Sequence, residues 1–360
     1  MVKDNGLAQS PNREAGRGAV GSGSAQTRQN PTLVQVAHGA GVSLKTASRV
    51  INGEQYVAKD TRDRVLKSAR DLGYVINPMA SSLARGMTSN TISLITGDLA
   101  NPFYAAIATG VEREIRGHDF RLTLASSGED PDSEIQLLEE FALLRTRAVL
   151  LVSTLDQHDR LESIQRRGVP ILFIDRLPVG LEADAFVLDN YDGTRAAIEQ
   201  LTGLGHRRIA YVGDFARIWP HKERYRAFTD AMMAAGLAWE RYAVRGVHSA
   251  DSAESLTREL LTLDPPPTAV FTANNRATVG ALRAIKALAP ETAIIGFDDF
   301  ELADVLGITT VSNDPVELGR LAAKRALAST PVDLTAGEGS LTVLPTAIRR
   351  RGSGERPPAA

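Results

Sequence analysis

From residue 89 onward, the hydrophobic positions form short continuous runs that alternate with longer stretches of helical periodicity. The runs read, in chain order, TISLIT, FRLTLAS, AVLLVS, PILFID, AFVLDN, RIAYVG, TAVFTA, AIIGFD and TTVSN. Runs of this length, rich in Val, Ile, Leu and Phe, are typical of buried strands, and their alternation with helices predicts parallel sheets covered on both faces. The segment 89–348 is long for one sheet, so we expect an α/β unit of two lobes.

The segment 31–76 has a different pattern, with apolar residues at helical spacing and glycines at the breaks. The apolar positions of its first predicted helix are Leu33, Val36, Ala37 and Ala40. Gly41 breaks this pattern, Ser43 is a typical N-cap, and a second helix is predicted over 44–52. Two short helices around a glycine turn predict a helix-turn-helix.

A third helix completes this small all-α head. It is predicted over 61–72, with Gly73 as its stop, and its expected buried side consists of Val65, Leu66 and Ala69. Val42 and Val50 of the preceding helix pair are expected to face the same core.

Three further segments lack the pattern of a folded core. Residues 1–30 are rich in Gly, Ser, Gln and Asn, and we expect a flexible tail there. Residues 77–88 contain MASSLARG, a short helical stretch that we expect to fold only on its target. Residues 349–360 are expected to form a flexible C-terminal tail.

Composition excludes several classes of protein. The 360 residues include no cysteine, which excludes disulfides, thiol catalysis and thiolate metal sites. There is no run of eighteen apolar residues and no secretory signal, so we expect a cytoplasmic protein without membrane contact. The phosphate-loop, dinucleotide, nucleophile-elbow and zinc-protease motifs are all absent, and the histidines show no metal-ligand spacing. We therefore expect no enzyme, no cofactor and no metal.

The charge is unevenly distributed along the chain. The net charge is -2, but residues 1–88 hold 12 Lys+Arg against 6 Asp+Glu, whereas residues 89–360 hold 29 against 37. A basic end on an acidic remainder indicates that this end meets a polyanion.

The helix-turn-helix lies in the basic end, which favours DNA binding over an ordinary helical corner. In this geometry the second helix enters the major groove, where Leu44 and Lys45 reach base edges and Arg49 follows one turn later. The short polar or hydroxyl side chains that suit phosphate contacts are Thr32, Ser43, Thr46, Ser48, Asn52 and Tyr56.

Polar residues follow several of the predicted strands of the α/β unit. They are Asp98 and Asn101 after TISLIT, Asp175 and Arg176 after ILFI, Asn274 after VFTA, and Asp298 after IIGF. Because ligands gather at the carboxyl ends of parallel strands, this set predicts one binding crevice, although each residue alone is also a common helix cap.

The ordered motifs of this chain resemble those of the lactose-repressor (LacI/GalR) family of transcriptional regulators. They are GVSLKTASRVING, YVAKDTRDRVLKSARDLGYVINPMASSLARG, NTISLITGDLANPFY, VPILFIDR, LGHRRIAYVGD, PTAVFTANN, IIGFDDF and ITTVSNDPVELGRLA. The resemblance implies a helix-turn-helix head, a hinge helix and a two-lobed domain similar to periplasmic sugar-binding proteins. It also implies a homodimeric regulator, and we expect a repressor, that binds near-palindromic operator DNA under the control of a small effector, with carbohydrate as the family's usual class.

The resemblance also assigns roles to single residues. Leu83 occupies the position of the leucine that the family's paired hinge helices wedge into the minor groove. Two positions depart from the family pattern: Ser81 stands where the family commonly has an arginine, and Val34-Gln35 replaces the usual charged pair of the first helix.

For the effector, the residues that match the family's usual contacts are Asp98, Phe103, Phe173, Arg224, Asn274, Asp298 and Asn313. Arg224 would be the main cationic anchor, and Tyr104 and Trp219 would add flat walls beside Phe103 and Phe173. His248 falls where the family often has an aromatic residue, and the alternative interpretation is an exposed loop histidine. Asn275 replaces an aspartate that usually follows the pocket asparagine.

Two other functions stay open at this point. One is a regulator of the same architecture whose cleft binds a partner protein or no metabolite. The other, more remote, is an α/β hydrolase with a basic head.

Overall fold

The computed structural model describes residues 31–54, 56–75, 89–328 and 339–358 of the chain. They fall into two compact units, Met1–Pro78 and Met79–Ala360. Within the described ranges, no helix is both long and apolar enough to cross a membrane.

The described part of the first unit, residues 31–54 and 56–75, is the head. It consists of α1 (Leu33–Ala40), α2 (Leu44–Ile51) and α3 (Lys59–Leu72). Gly41 and Gly73 both adopt the left-handed conformation that ends a helix and favours glycine. The core of the head consists of Val36, Ala37, Ala40, Ala47, Val50, Val65 and Ala69, with Val42 packed against it.

The buried face of α3 differs from the prediction in one residue. Leu66, expected in the core, is 38% exposed, whereas Ser68 is buried and donates a hydrogen bond to the Val36 carbonyl at 3.0 Å. Helix α1 approaches closely here, since a Cβ on Gly39 would collide with the Ser68 hydroxyl. Where α1 and α3 pack this closely, a small serine whose hydroxyl is hydrogen-bonded to the α1 backbone fits better than a leucine does.

The second unit begins with a lobe built on one parallel sheet, which we call the N-lobe. Its strands are β1 (Thr91–Thr96), β2 (Arg121–Ser126), β3 (Ala148–Leu151), β4 (Ile171–Ile174), β5 (Ala185–Leu188) and β11 (Leu341–Leu344), in the order β11-β5-β4-β3-β1-β2. Helices α4 (Pro102–Ile115) and α11 (Pro315–Ala328) cover one face. Helices α5 (Pro131–Leu143) and α6 (Glu162–Gln165) cover the other.

The C-lobe repeats this layout. Its strands are β6 (Ile209–Val212), β7 (Ala243–Val244), β8 (Ala269–Thr272), β9 (Ala293–Phe297), β10 (Thr309–Ser312) and β12 (Ala347–Arg349), in the order β12-β10-β9-β8-β6-β7. All pairings are parallel except that of β12 with β10. Helices α7 (Asn190–Gly203) and α8 (Trp219–Ala234) pack on one face, and α9 (Ala250–Leu261) and α10 (Asn275–Leu288) on the other.

The expected two-lobed α/β architecture is therefore confirmed. The chain passes between the lobes three times: from β5 to α7, from β10 to α11, and from β11 to β12. Strands β7, β11 and β12 were not predicted, because they are short or half-exposed and lack a continuous apolar run.

The predicted flexible tail at 349–360 is wrong for its described residues, 349–358. Ser353 is buried, donating to the Ile294 carbonyl at 2.7 Å and accepting from the Thr309 amide at 2.8 Å. Arg351 forms an ion pair with Asp299 at 2.9 Å. The segment is polar in sequence but satisfies backbone groups of the C-lobe, so hydrogen bonding holds it in place.

Candidate functional site

The carboxyl ends of the parallel strands of both lobes line one cavity, which we call the cleft. On the N-lobe side it is lined by Asp98, Asn101, Phe103, Tyr104, Glu129, Asp175 and Arg176. On the C-lobe side it is lined by Asp214, Ile218, Pro220, His221, Arg224, His248, Ala273, Asn274, Arg276 and Asp298. The strand-end rule thus brings together residues that are far apart in sequence.

Arg176 is the cation of the N-lobe wall. Its guanidinium donates to Glu129 at 2.6 Å, to the Ser153 carbonyl at 2.6 Å and to the phenolic oxygen of Tyr104 at 3.4 Å. The side chains of Arg176 and Glu129 are both more than nine-tenths buried. A buried ion pair with several hydrogen bonds gives this wall a fixed geometry.

Asp175 lies beside this pair, directly after β4. It is buried, and its Oδ1 atom has no hydrogen-bond partner among the described residues. Burial raises the pKa of Asp175 to about 6, although Arg176 and Arg224 partly oppose the shift. An unpaired buried oxygen at a cavity wall is a ready acceptor for a ligand hydroxyl.

Arg224, on α8, is the buried cation of the C-lobe wall, which also includes the more exposed Arg276. Its Nε donates to Asn190 Oδ1 at 2.7 Å, and Nη1 donates to the Ala273 carbonyl at 2.5 Å. The guanidinium stacks on the ring of Phe297 at 3.6 Å and lies 3.5 Å from Asp298. These partners leave the buried guanidinium with one orientation.

A third cluster of polar residues is centred on Asp214, which follows β6. Asp214 accepts hydrogen bonds from Asn274 at 3.1 Å and from the Phe215 amide at 2.7 Å, and its carboxylate lies 3.1 Å from His248 Nδ1. The hydrogen bond to Asp214 raises the pKa of His248, whose ring stacks on Phe215 with centroids 4.9 Å apart. Burial opposes ionisation of Asp214, but these donors hold its pKa below the usual value.

Direct contacts cross the cleft from one lobe to the other. Asp98 of the N-lobe pairs with Arg276 of the C-lobe at 2.6 Å. Asn275 Nδ2 donates to Asn101 Oδ1 at 3.0 Å. Arg217 donates to the backbone carbonyl of Glu129 at 3.2 Å. These polar contacts favour the arrangement of lobes seen here, and any change in lobe separation must break them.

Three predicted pocket residues do not line the cleft. Phe173 is fully buried in the N-lobe core, where it meets His158 edge to face, because its side chain lies in the core under α5 and α6. Asn313 donates to Asp298 at 2.8 Å and so contacts a lining residue. Trp219 lines a neighbouring cavity. The predictions for Phe173 and Trp219 as cleft walls are corrected accordingly.

Sequence reasoning also missed lining residues, above all Glu129, Asp214, His221 and Arg276. Asp214 directly follows a predicted strand-and-glycine run, so the strand-end rule could have found it. His221 carries no comparable signal. Burial lowers its pKa to about 4, and its Nδ1 lies 3.1 Å from the Tyr211 hydroxyl.

The head places its predicted DNA-contacting residues on and around α2. Leu44 is 51% exposed and Tyr56 91% exposed, and Lys45 is exposed as well. Arg49 lies one turn beyond Lys45 and pairs with Glu54 at 2.7 Å.

The hydroxyl groups of the head have local partners in the structure. Thr32 and Ser43 are the N-caps of α1 and α2, and Ser43 accepts from the Thr46 amide at 3.1 Å. Ser48 accepts from Asn52 at 3.2 Å. Leu83 and Ser81 lie outside the described residues.

The chain matches two family models. Residues 32–77 match "Bacterial regulatory proteins, lacI family", and residues 198–353 match "Periplasmic binding protein-like domain". The HTH-type transcriptional regulator CelR of Thermobifida fusca is 34% identical over 87% of this chain and 94% of its own. The HTH-type transcriptional regulator GalS of Salmonella typhimurium is 30% identical over 89% of this chain and 95% of its own.

A solved structure agrees with these matches. The "transcriptional regulator CelR-cellobiose complex" is 31% identical, with a TM-score of 0.64 over 90% of this chain and 99% of that one. With a basic helix-turn-helix head, a two-lobed domain and relatives that match along nearly their whole length, this chain belongs to the LacI family, whose members are DNA-binding transcriptional regulators and not enzymes.

Proposed function

We propose that this regulator is a cytoplasmic repressor whose affinity for its operator is set by a sugar or sugar derivative bound in the cleft. The observation that carries the proposal is the lining of the cleft, where carboxylates and arginines of both lobes converge. Carboxylates accept hydrogen bonds from hydroxyl groups, and an arginine donates to hydroxyl pairs, so this mixture suits a polyhydroxylated ligand. The relative solved as a cellobiose complex supports the same ligand class.

The cleft residues would have three different roles in ligand binding: hydrogen-bond acceptor, hydrogen-bond donor and apolar wall. Asp175 and Asp298 would accept ligand hydroxyls, Arg176 and Arg224 would donate to ligand oxygens, and Phe103 and Tyr104 would form an apolar wall. Their rings pack edge to face with centroids 5.4 Å apart. His248 and Asn274 are both hydrogen-bonded to Asp214. These bonds fix the orientation of the two side chains before a ligand binds.

The head would read the operator through α2. Leu44, Lys45 and Arg49 would reach base edges, and Thr32, Ser43, Thr46, Ser48, Asn52 and Tyr56 would contact phosphates. Two heads of a homodimer would then match the two halves of a near-palindromic operator. Leu83 would act as the apolar wedge in the minor groove, at the cost of unstacking one base step.

Effector and operator must influence each other reciprocally. A ligand that contacts both lobes favours one lobe separation, and any difference in operator affinity between lobe arrangements is then passed on to the DNA. A coupling of about 1 to 3 kcal/mol would change operator affinity roughly 5- to 150-fold.

The effector part of the proposal is tested with a panel of sugars. Each is first added to the full-length protein in a thermal-shift assay, where a cleft ligand raises the melting temperature by mass action. Compounds that stabilise the protein are then titrated into an operator-binding assay. We expect at least one to change operator affinity by fivefold or more. If every stabilising sugar leaves operator binding unchanged, the coupling is refuted.

The DNA part is tested with Arg49→Ala, using Arg70→Ala on α3 as the matched control. In the structure Arg49 is paired with Glu54, which it must exchange for a base edge on binding. We expect a loss of about 1 to 3 kcal/mol on the operator and relaxed selection at one base pair. An equal loss on random duplex would show that Arg49 contributes only non-specific attraction.

A further inference from the structure

A second cavity adjoins the cleft, and the proposed function so far makes no use of it. We call it the side cavity. It lies between the loops after β3 and β4 of the N-lobe and the start of α8 in the C-lobe, and its walls include Thr154, His158, Arg176, Arg217, Trp219 and Lys222. Arg176 and Ile218 line both cavities, so the two share a wall.

The two cavities differ in charge. Five carboxylates line the cleft, those of Asp98, Glu129, Asp175, Asp214 and Asp298, against the three cations Arg176, Arg224 and Arg276. In the side cavity the balance is reversed, with Arg176, Arg217 and Lys222 against Asp156 alone. A ligand that reaches across the shared wall therefore passes from an acidic to a basic environment.

The cations of the side cavity are only partly neutralised. Glu129 serves both Arg176, at 2.6 Å, and Arg217, at 3.5 Å, so one carboxylate faces two guanidinium groups. Lys222 is exposed and forms no ion pair with any described residue. This leaves positive charge at the mouth of the cavity available to an anion.

Donors converge at the same place. Helix α8 begins at Trp219, and no described side chain caps its first turn. Backbone amides at a helix start lack intrahelical acceptors and carry the positive end of the helix dipole. Pro220 has no backbone N–H, so the amides of Trp219 and His221 supply these donors in the first turn of α8. In addition, the Thr154 hydroxyl and Arg176 Nε are buried polar groups without a hydrogen-bond partner among the described residues, and both residues line the side cavity.

We propose that the side cavity is an anion subsite that binds a phosphate or carboxylate group of the effector. The hydroxyl-bearing part of the same ligand lies in the cleft beside Asp175 and Asp298, so the effector is an anionic sugar. The proposal rests on the proposed function for the sugar part, but the anion subsite can be tested without it. Because its walls come from both lobes, a bound anion favours the lobe arrangement seen here.

The first experiment uses inorganic phosphate with the full-length protein. Its stabilising effect is measured by thermal shift at constant ionic strength, with chloride as the reference, for the wild type, Lys222→Met, Lys222→Arg and the control Lys286→Met on α10. We expect Lys222→Met to bind phosphate about fivefold more weakly, as for loss of one exposed ion pair. Lys222→Arg and Lys286→Met should resemble the wild type. An equal phosphate response in all four proteins overturns the subsite.

The second experiment compares neutral sugars with their anionic forms by calorimetry: glucose with glucose 6-phosphate and glucuronate, and ribose with ribose 5-phosphate. We expect an anionic form to bind more tightly than its parent, and Lys222→Met to remove that difference while leaving the affinity of the neutral sugar unchanged. If Lys222→Met weakens both forms equally, the subsite is refuted and the sugar cleft stands. If phosphate shows the Lys222 dependence but no sugar binds, the subsite stands and the proposed sugar effector fails.

Discussion

The two lobes place an aspartate at corresponding positions, and the two residues have different surroundings. Asp175 follows β4 and Asp298 follows β9, which are the third strands in the order of their sheets. Both residues have a φ of 67°, in the left-handed region that non-glycine residues rarely adopt. Both are buried at the cleft. The backbone of each lobe thus delivers a carboxylate to the cleft in the same way.

The partners of the two carboxylates differ. Asp298 receives a hydrogen bond from Asn313 at 2.8 Å and lies 3.5 Å from Arg224. Next to Asp175, Arg176 is instead engaged by Glu129, and Asp175 Oδ1 is left without a partner among the described residues. The strand end fixes where a carboxylate stands, whereas the neighbouring side chains decide how well it is satisfied.

The largest expected effect comes from removing the guanidinium group of Arg224. Arg224→Met leaves Asp298 buried without its ion-pair partner, which should reduce the free energy of unfolding by about 3 to 5 kcal/mol and abolish the effector response. Urea unfolding and effector-dependent operator binding measure the two effects. Arg226→Met, on the exposed face of the same helix, is the control and should change neither. Arg224→Lys, which keeps a charge but loses the fork geometry, should fold and yet respond weakly; a full response would argue against Arg224 as the anchor.

Asp175→Asn should produce the next largest effect, and it depends on pH. A carboxyl whose pKa is raised from 3.8 to about 6 binds a proton more tightly in the folded state, so its contribution to stability falls as pH rises through this window. The full loss is about 3 kcal/mol, and roughly half of it lies between pH 5 and 7.5.

The variant should therefore gain stability relative to the wild type as pH rises from 5 to 7.5, as measured by urea unfolding. Asp132→Asn, at an exposed position of the same lobe, should track the wild type. A constant difference between Asp175→Asn and the wild type across this range would show that Asp175 is ionised throughout.

Asn313→Ala should make the Asp298 carboxylate more like that of Asp175, because it leaves an oxygen of Asp298 without its hydrogen-bond donor. It removes the hydrogen bond to Asp298 and should cost about 2 kcal/mol, typical of a hydrogen bond to a charged group. The free energy of unfolding is compared with that of Asn90→Ala, where the side chain is exposed. No difference between the two variants would mean that Arg224 alone satisfies Asp298.

The smallest effect is expected from one of the polar contacts between the lobes, the ion pair of Arg276 with Asp98. Arg276→Met removes the pair with Asp98, whose two side chains are 25% and 31% exposed, so the change should be about 1 kcal/mol or less. Effector affinity should change by less than about fivefold, and the difference should shrink in high salt because screening weakens such pairs. A large change that persists in high salt would indicate that this pair controls lobe closure.

Much of the fold could be predicted from the sequence, because the relevant signals are local. The helix cap at Ser43, the helix stop at Gly73 and the apolar runs of the central strands follow from neighbouring residues, and the structure agrees with them. Leu66 shows the limit of such signals: its helical spacing fits the core, but the close crossing of α1 and α3 left room for Ser68 instead.

The candidate site was only partly predictable. Asp98, Asp175, Asn274 and Asp298 follow strands, and this local feature is enough to place them at the cleft. Glu129 lies in the turn after the half-exposed edge strand β2 and carries no such signal. It becomes part of the site because Arg176 approaches it from a different strand end.

The sequence by itself determined the family, the basic helix-turn-helix head and the two-lobed sheet architecture. Helix caps, hydrophobic periodicity and motifs depend on residues that are close together along the chain. Only the tertiary structure decided which carboxylate is paired, which stays unsatisfied, and where the cations of the side cavity meet. These properties depend on distances between side chains that lie tens of residues apart in the sequence, as between Glu129 and Arg176 or between Arg224 and Asp298, and on how much water packing removes around them.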